Sequence, residues 1–477
     1  MVKGPQGGYY NPIHFPRYYP SLYPKTLTMT AGAPSKKVFL QTFGCQMNEY
    51  DSEKMMEQLR SQQYEPVGRA DEADLVLLNT CAIREKAENK VYSLLGELAP
   101  LKQTNPNLKI GVGGCVAQQN GEAILKGSRG VDFVFGTDNL FELPSMLEAV
   151  AQGERVARLG WADHKRKVDT FIPQFEVPPA GQVKAQIAIM KGCNNFCSFC
   201  VVPHTRGREV SRPAEDILAE ARQQVEAGTR EITLLGQNVN SYQANGVDFA
   251  DLLALMNEIP GLLRIRYTSP HPKDFNQKVA EAHRDLPKVC EQLHLPFQAG
   301  SDRILSAMRR RHTVAEYMEK IGMIRSIVPN MALSTDIIVG FPGETEEDFL
   351  GTLKVVEDVG FDQIYSFKYS PRSGTPAATM ENQVPEAEKA ERLARLNALN
   401  DQLVEQQLND LVGSTQEVLL EGPHPKDEGA INGRTRQYRP VTVVNCTAKP
   451  GDLVRVDVAS RRRFSLVGTL IGSTSII

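Results

Sequence analysis

Residues 185–200 read AQIAIMKGCNNFCSFC, an apolar strand pattern that leads into three cysteines with the spacing CxxxCxxC. A single loop that carries Cys193, Cys197 and Cys200 can supply three thiolates to an iron–sulfur cluster and leave one iron open for a chelating ligand. The alternative is a structural zinc site with His204 as the fourth ligand. Structural zinc sites usually use two close ligand pairs, and the sequence has no second pair here. We therefore favour the cluster.

Further strand patterns follow this loop, with helical patterns between them. They are EITLLG (231–236), LRIRYTS (263–269), EQLHLPF (291–297), ALSTDIIVG (332–340) and FDQIYSFKY (361–369). Together with the strand before the cysteines they make six β/α units. Each of these strands ends in a polar or glycine-rich loop.

Upstream, between Val38 and Pro144, a strand that ends in a cysteine occurs three times. VFLQTFGC ends at Cys45, DLVLLNTC at Cys81 and KIGVGGC at Cys115, and amphipathic segments separate them. This alternation predicts a doubly wound parallel sheet, in which the C-terminal ends of the strands gather along one edge. Three thiols would meet there and could hold a second cluster with an open iron. The alternative is three cysteines that only pack in the core, but packing alone would not place all three at strand ends.

The C-terminal part begins with a helical pattern over Pro385–Val412. From Gly413 onward short strand patterns predict a small OB-like β-barrel, with turns at Asn432-Gly433 and Pro450-Gly451. Basic and aromatic residues concentrate in it, and such a surface can neutralise phosphates and stack bases, although a solvated charged face is the alternative. These residues are Lys426, Arg434, Arg436, Arg439, Arg455, Arg461, Arg462 and Arg463, with Tyr438 and Phe464 among them.

Length and charge limit the remaining possibilities. A chain of 477 residues is too long for one core and predicts several domains. The net charge of −3 means that nucleic-acid binding must rest on local basic patches, and we add Arg206, Arg208 and 309–311 as candidate phosphate contacts. No apolar run reaches the ~18–20 residues that span a bilayer, and the N-terminus has no signal-peptide pattern. We therefore expect a cytoplasmic protein without a membrane partner, and eight cysteines in such a chain favour metal or redox chemistry over disulfide bonds. Two of them, Cys290 and Cys446, do not follow this strand-end pattern, and we expect them to be structural.

The domain boundaries that we predict follow these composition changes. They are a disordered extension (1–35), an N-terminal domain (36–160), a linker (161–182), a central domain with its connecting helix (183–410) and a C-terminal barrel domain (411–477).

With these motifs, the chain resembles the radical-SAM methylthiotransferases over Lys37–Ile471. CxxxCxxC after a first strand is the signature of the radical-SAM superfamily, and Phe199 matches its usual aromatic residue before the third cysteine. Three widely spaced upstream cysteines and a small C-terminal domain are typical of the methylthiotransferases. The blocks QTFGCQMN, NTCAIREKA, GCNNFCSFCVVPHTRGREVSRP, GQNVNSY and STDIIVGFPGETEEDF are most similar to members that modify N6-isopentenyladenosine in tRNA.

The resemblance implies an α/β fold with an N-terminal doubly wound parallel-sheet domain, a central partial (β/α)6 barrel and a C-terminal TRAM domain. It also implies two 4Fe-4S clusters, a SAM-binding one on Cys193, Cys197 and Cys200 and an auxiliary one on the upstream cysteines. SAM would serve both as a methyl donor and as the source of a 5′-deoxyadenosyl radical. The residues expected to bind SAM besides the cysteines are Phe199, Gln237, Ser301 and Gly340.

The expected partners are a tRNA that carries isopentenyladenosine and an electron donor such as flavodoxin or ferredoxin. Three alternative functions stay open at this point. Two are methylthiolation of threonylcarbamoyladenosine in tRNA and methylthiolation of an aspartate of a ribosomal protein. The third is a non-catalytic RNA-binding iron–sulfur sensor.

Overall fold

The computed structural model describes residues 35–82, 85–160, 171 and 181–472, without the side chains of 85–89. The expected disordered extension and most of the expected linker lie outside the described residues. The strands are β1 (Lys36–Thr42), β2 (Tyr64–Pro66), β3 (Leu75–Thr80), β4 (Lys109–Gly114), β5 (Phe133–Phe135), β6 (Val156–Arg158), β7 (Lys184–Ala188), β8 (Met190–Lys191), β9 (Val210–Ser211), β10 (Glu231–Leu235), β11 (Gln243–Ala244), β12 (Val247–Asp248), β13 (Arg264–Tyr267), β14 (Gln292–His294), β15 (Ala332–Val339), β16 (Gln363–Lys368), β17 (Thr415–Pro423), β18 (Ile431–Thr435), β19 (Pro440–Val443), β20 (Leu453–Arg461) and β21 (Leu466–Leu470).

The α-helices follow the strands in the two α/β domains and connect the second of these to the C-terminal barrel. They are α1 (Gln46–Ser61), α2 (Glu85–Leu98), α3 (Leu101–Thr104), α4 (Cys115–Gly127), α5 (Leu143–Ala151), α6 (Val202–Thr205), α7 (Ala214–Glu226), α8 (Phe249–Asn257), α9 (Gln277–Asp285), α10 (Asp302–Ala307), α11 (Val314–Ile327), α12 (Glu346–Val359) and α13 (Glu386–Asp410).

The N-terminal domain is a six-stranded parallel sheet with the order β2-β1-β3-β4-β5-β6. Side chains alternate across it: Leu75 and Leu77 of β3 pack on one face with α1 and α5, whereas Val76 and Leu78 pack on the other with α2 and α4. This confirms the doubly wound prediction. The short strands β2, β5 and β6 have three residues each and carry too little pattern to be recognised in the sequence.

The central domain contains the six expected strands in two parallel sheets, β7-β10-β13 and β14-β15-β16. A parallel bridge between Ile265 and Val289 joins the β13 edge to the chain just before β14. The first and last strands, β7 and β16, are not paired with each other. The prediction of a partial (β/α)6 barrel is therefore confirmed, and its core is formed by the apolar residues of both sheets and the surrounding helices.

The C-terminal domain is a closed barrel of five strands in the order β17-β18-β19-β21-β20. One local prediction was wrong: Asn432-Gly433 is not a turn but lies inside β18, paired with β17 and β19. Gly433 is required there because a Cβ atom would lie 2.5 Å from the carbonyl oxygen of Leu419, so the glycine permits close strand packing. At the other predicted turn, Gly451 has φ +91° and the chain does turn.

The C-terminal barrel contacts the face of the central barrel at which the central strands begin. Arg264, the first residue of β13, is fully buried and donates to the carbonyl oxygen of Arg434 at 2.7 Å. Arg266 donates to the carbonyl oxygens of Arg436 and Thr435 at 2.7 and 3.0 Å. The strands of the central barrel thus run away from this contact, and their C-terminal ends, which carry the cysteine loop, lie on the opposite face.

Candidate active site

The three N-terminal cysteines follow three adjacent strands of the sheet. Cys45 precedes α1 as its N-cap residue, Cys81 directly follows β3, and Cys115 is the first residue of α4. Because β1, β3 and β4 are neighbours and parallel, their C-terminal ends bring the three residues to the same edge. The N-terminal ends of α1 and α4 also favour negative charge on Cys45 and Cys115.

Two glycines create the space in which these cysteine loops approach each other. Gly44 has φ +113°, and a Cβ atom on it would lie 2.2 Å from Cys81 Cβ and 2.5 Å from Cys81 Sγ. Gly114 has φ +91°, and its Cβ atom would lie 2.4 Å from the Thr80 carbonyl oxygen. A larger residue at either position would displace the loop that carries Cys81.

The thiols of this N-terminal triad act on one another electrostatically. The hydrogen bond with Cys81 is the main cause that lowers the pKa of Cys45 to about 6, against the cost of burial and with help from Arg206. Burial raises the pKa of Cys115, and the negative charge of Cys45 raises it further. Three interacting thiols, one of them readily ionised, form a donor set that fits a cluster with three protein ligands.

The second triad lies in a loop that begins and ends with a short antiparallel pair. Strand β8 pairs with β9 through Met190↔Ser211 and Lys191↔Val210, which closes the base of the loop. Within it the backbone N–H of Asn195 lies 3.5 Å from Cys193 Sγ. Burial and the neighbouring Cys197 raise the pKa of Cys200 to about 12. The loop therefore gathers Cys193, Cys197 and Cys200, and this donor set also fits a cluster.

The turn after α10 holds this loop in place and brings a charge to it. The backbone N–H of Ser198 donates to the Met308 carbonyl oxygen at 3.0 Å, and its hydroxyl donates to that of Ala307 at 2.7 Å. Arg310 is buried, with Nη1 at 3.6 Å from Cys197 Sγ. The prediction that Arg310 contacts phosphate is therefore wrong, whereas its neighbours Arg309 and Arg311 are exposed and have positive φ.

A short segment connects the two triads. Arg206 follows Cys200 by six residues, which span at most ~20 Å when extended, and α6 shortens that distance. The hydroxyl of Thr137, in the N-terminal domain, donates to the Thr205 carbonyl oxygen at 2.5 Å. Arg206 itself is buried against the N-terminal domain, so its assignment as a phosphate contact was also wrong. Both triads therefore lie near the same interdomain region.

The four predicted SAM-binding residues lie in loops after strands of the central barrel, on the face that carries the cysteine loop. Gln237, after β10, accepts a hydrogen bond through Oε1 from the Gly192 backbone N–H at 2.5 Å, which leaves its second lone pair for a ligand. Phe199 is half-buried in an apolar cluster with Phe341. Ser301 donates through its hydroxyl to Asp348 Oδ1 at 2.6 Å.

Gly340 directly follows β15 and has φ +71°. Its backbone N–H donates to Glu344 Oε2 at 2.6 Å, and a Cβ atom there would lie 2.3 Å from Cγ of Lys389. The contacts of Ser301 and Gly340 are thus internal to the protein, so their role toward SAM stays a prediction.

Several buried polar atoms on the same side of the central barrel have no hydrogen-bond partner among the described residues. Two of them belong to histidines, Nε2 of His271 after β13 and Nε2 of His312 after α10. Burial is the main cause that lowers the pKa of both imidazoles, which holds them neutral. Asn195 and Asn238 contribute an unpaired amide oxygen each. Since buried polar groups are normally paired, these atoms fit a polar ligand at this face.

The zinc alternative is not supported by the geometry. His204, the proposed fourth ligand, lies on α6 and is exposed. A single zinc ion requires all four ligands within ~2.3 Å of one point.

Many of the C-terminal basic residues form ion pairs within the protein. Five arginines of the predicted RNA surface pair with carboxylates: Arg434 with Glu421, Arg436 with Glu291, Arg439 with Asp362, Arg461 with Glu405 and Arg463 with Asp401. The guanidinium groups of Arg266 and Arg434 lie 4.8 and 4.2 Å from the centre of the Tyr438 ring. Most of these residues dock the barrel, which sequence patterns could not distinguish from an RNA surface. Lys426, Arg455 and Arg462 are exposed without an ion pair to any described residue.

Three family models match the chain in the order of its domains. They are "Uncharacterized protein family UPF0004" at residues 37–136, "Radical SAM superfamily" at 187–356 and "TRAM domain" at 410–471. A solved structure with a similar fold is the radical S-adenosylmethionine methyltransferase TsrM from Kitasatospora setae with cobalamin and a [4Fe-4S] cluster. The TM-score is 0.56 at 14% identity, over 72% of this chain and 77% of that one. Fold and cysteine triads together define a radical-SAM enzyme with an additional cysteine-bearing domain.

Curated relatives narrow this class to one family. A tRNA-2-methylthio-N(6)-dimethylallyladenosine synthase from Bordetella avium is 46% identical over 93% of this chain and 94% of its own length. One from Neisseria gonorrhoeae is 46% identical over 91% of this chain and 99% of its own length. The chain belongs to the family of tRNA-2-methylthio-N(6)-dimethylallyladenosine synthases. In the part of the chain that the structure describes, no helix is long and apolar enough to cross a membrane.

Proposed function

We propose that this chain converts N6-isopentenyladenosine in tRNA to its 2-methylthio derivative. The observation that carries the proposal is the 46% identity, over more than nine tenths of the chain, to synthases named for this product. Their names specify dimethylallyladenosine, which is the same nucleoside. This disfavours threonylcarbamoyladenosine or a ribosomal aspartate as the substrate, and it disfavours a non-catalytic sensor.

Cys193, Cys197 and Cys200 would hold the SAM-binding 4Fe-4S cluster. Arg310 would balance part of the negative charge of the thiolates, since its guanidinium lies beside Cys197. Gln237 would accept a hydrogen bond from the amino group of SAM through the lone pair that Gly192 does not use. Phe199, Ser301 and Gly340 would line the same cofactor site.

Cys45, Cys81 and Cys115 would hold the auxiliary 4Fe-4S cluster. When bound, the SAM-binding cluster would supply the electron for reductive cleavage of SAM, and the auxiliary cluster would supply the site of the sulfur that a second SAM methylates. The segment from Cys200 to Arg206, which contacts the N-terminal domain, supports a location of both sites near one interdomain region. One nucleoside would then reach both clusters.

The tRNA would contact two surfaces on opposite faces of the central barrel. Near the cysteine loop, Arg208, Arg309 and Arg311 are exposed, and on the C-terminal barrel Lys426, Arg455 and Arg462 are exposed. The eight residues of β15 correspond to roughly 26 Å, so a free nucleoside could not reach both surfaces, whereas a folded RNA could. We propose these six residues as the phosphate contacts.

The proposed reaction also requires an electron donor, for which flavodoxin or ferredoxin is suitable. A cytoplasmic location, where tRNA is available, completes the proposal.

The test is mass spectrometry of tRNA nucleosides after anaerobic incubation with the reconstituted protein, SAM and a reductant. The substrate is tRNA that carries isopentenyladenosine, and the matched control is the same tRNA without the isopentenyl group. We expect a methylthio group on the isopentenylated adenosine only. Formation of 5′-deoxyadenosine without a modified nucleoside would contradict the proposed substrate. Absence of both products would contradict the proposed enzymatic activity.

A further inference from the structure

Arg206 belongs to the segment after the radical-SAM cysteines, but its side chain is buried in the N-terminal domain. Its Nη2 atom donates to Asn48 Oδ1 at 2.8 Å and to Asp51 Oδ2 at 2.7 Å, and only 7% of the residue is exposed. Both acceptors lie on α1, the helix that begins directly after Cys45. The central domain therefore contributes a guanidinium group that lies next to the cysteine triad of the N-terminal domain.

Asn48 connects this guanidinium to the cysteine loops. It is fully buried, and its Oδ1 atom, which accepts from Arg206, also accepts from Cys45 Sγ at 3.8 Å. Its Nδ2 atom donates to the carbonyl oxygens of Phe43 and Thr80 at 2.8 and 2.9 Å. Phe43 lies two residues before Cys45, and Thr80 directly precedes Cys81. One amide thus joins Arg206 to two of the three loops.

The third loop is tied to the same network. The hydroxyl of Thr80 donates to the Gly113 carbonyl oxygen at 2.6 Å and accepts from the backbone N–H of Ala117 at 3.3 Å. These two contacts lie on either side of Cys115. The positions of all three cysteines therefore depend on a hydrogen-bond network that ends in Arg206.

Arg206 lies next to the triad, on the side of Cys45. The Asn48 oxygen that accepts from Nη2 of Arg206 at 2.8 Å also accepts from Cys45 Sγ at 3.8 Å, so one amide oxygen separates the guanidinium from the thiol. Asp51, the carboxylate partner of Arg206, follows Cys45 by six residues, more than one and a half turns along α1. Lys191 and Asp138 form a second, mutually compensating ion pair. The cation, and not its carboxylate partner, therefore shares a hydrogen-bond acceptor with the thiol.

We propose that Arg206 is a positioning residue and charge partner for the auxiliary cluster, which it stabilises in its reduced state by a buried positive charge. This inference rests on the proposed function, in which Cys45, Cys81 and Cys115 hold that cluster. Clusters bound by thiolates carry net negative charge, and reduction adds one more electron. A buried cation acts with little solvent screening, so its removal should lower the reduction potential of the cluster.

The test uses the full chain with Cys193→Ala, Cys197→Ala and Cys200→Ala, so that only the auxiliary cluster can bind. Into this parent are introduced Arg206→Gln, Arg206→Lys and the double change Arg206→Gln with Asp51→Asn. The measurements are iron content, the EPR spectrum of the reduced cluster and its midpoint potential by redox titration. The matched control is Arg392→Gln, which breaks another buried ion pair, with Glu344, in the central domain.

We expect Arg206→Gln to shift the midpoint potential to more negative values. The double variant should shift it in the same direction by less, and Arg206→Lys should stay close to the parent. Arg392→Gln should lower thermal stability without moving the potential. A merely structural role of Arg206 would likewise lower stability and leave the potential unchanged.

Two outcomes would overturn the role of Arg206 without affecting the proposed function. One is a parent-like potential in Arg206→Gln with full iron content, and the other is loss of the cluster in both Arg206→Gln and Arg206→Lys, since lysine retains the charge. If the glutamine variant alone loses the cluster and lysine restores it, the charge role is supported. If the parent itself binds no cluster, the proposed function fails instead.

Discussion

Arg310 and Cys197 lie in direct contact: Nη1 of the guanidinium is 3.6 Å from Sγ, and Nη2 donates to the Pro296 carbonyl oxygen at 2.8 Å. The contact joins the turn after α10 to the radical-SAM loop. It places a buried cation next to a ligand of the proposed SAM-binding cluster, while the two flanking arginines face solvent.

We predict that Arg310→Met slows reductive SAM cleavage by about 10- to 100-fold, the usual effect of removing a partner of a metal ligand. The measurement is 5′-deoxyadenosine formed anaerobically without tRNA. Arg309→Met is the matched variant in the same turn, and it should keep the wild-type cleavage rate but bind tRNA more weakly. Equal cleavage rates for Arg310→Met and wild type would show that the contact is only structural.

The two triads should differ in what their loss abolishes. Cys197→Ala is expected to abolish SAM cleavage, because the proposed SAM-binding cluster would lose one of its three ligands. Cys81→Ala should still cleave SAM to 5′-deoxyadenosine but should form no methylthio nucleoside, because the proposed auxiliary cluster would lose one of its three ligands. Both products are quantified in one anaerobic reaction. Comparable loss of SAM cleavage in the two variants would contradict this division of labour.

Gly44 should not tolerate alanine. Its φ of +113° and the 2.2 Å approach to Cys81 Cβ predict a destabilisation of ~1–3 kcal/mol and displacement of Cys81. We expect the iron content of the reconstituted protein to fall by half, with SAM cleavage retained.

Gly96 in α2 provides the matched control, since nothing lies within 4 Å of a Cβ atom there. Gly96→Ala should raise stability by up to ~1 kcal/mol in thermal unfolding and keep the full iron content. Normal iron content in Gly44→Ala would mean that the loops tolerate more movement than the structure allows.

Much of the fold and the six cysteines could be predicted from the sequence because their signals are local. Strand patterns such as LVLLNT in β3 and the CxxxCxxC spacing are short and periodic, and parallel topology then determines where their C-terminal ends meet. The placement of Cys45, Cys81 and Cys115 at adjacent strand ends follows from the same rule.

The roles of individual arginines could not be predicted because they depend on tertiary partners. Arg309, Arg310 and Arg311 are identical in type, yet only the middle one is buried, whereas its two neighbours have positive φ and are exposed. From the sequence, Arg206 and Arg436 are predicted to be surface charges. In the structure they pair with Asp51 and Glu291, which belong to neighbouring domains. A charge pattern predicts solvent exposure only when no carboxylate from another domain reaches it.

The C-terminal barrel offers a direct test of this distinction between docking and RNA-binding arginines. Arg436 pairs with Glu291 through Nε at 2.6 Å and Nη2 at 2.8 Å, and it also donates to the carbonyl oxygens of Pro287 and Val289 at 2.9 Å each. Arg436→Gln should therefore destabilise the docked barrel by ~1–3 kcal/mol, because Glu291 loses its partner. Thermal unfolding measures this loss.

Arg462 is exposed and has no ion pair with any described residue, so its substitution should have the opposite profile. Arg462→Gln should leave the unfolding temperature unchanged but weaken tRNA binding. Because one phosphate contact releases about 0.7 to 0.9 counterions, the slope of log affinity against log salt should fall by that amount. Binding is measured at several salt concentrations for wild type and both variants. A reduced slope for Arg436→Gln with normal stability, or an unchanged slope for Arg462→Gln, would reverse the assignment, because only a residue that contacts phosphate changes the number of ions released.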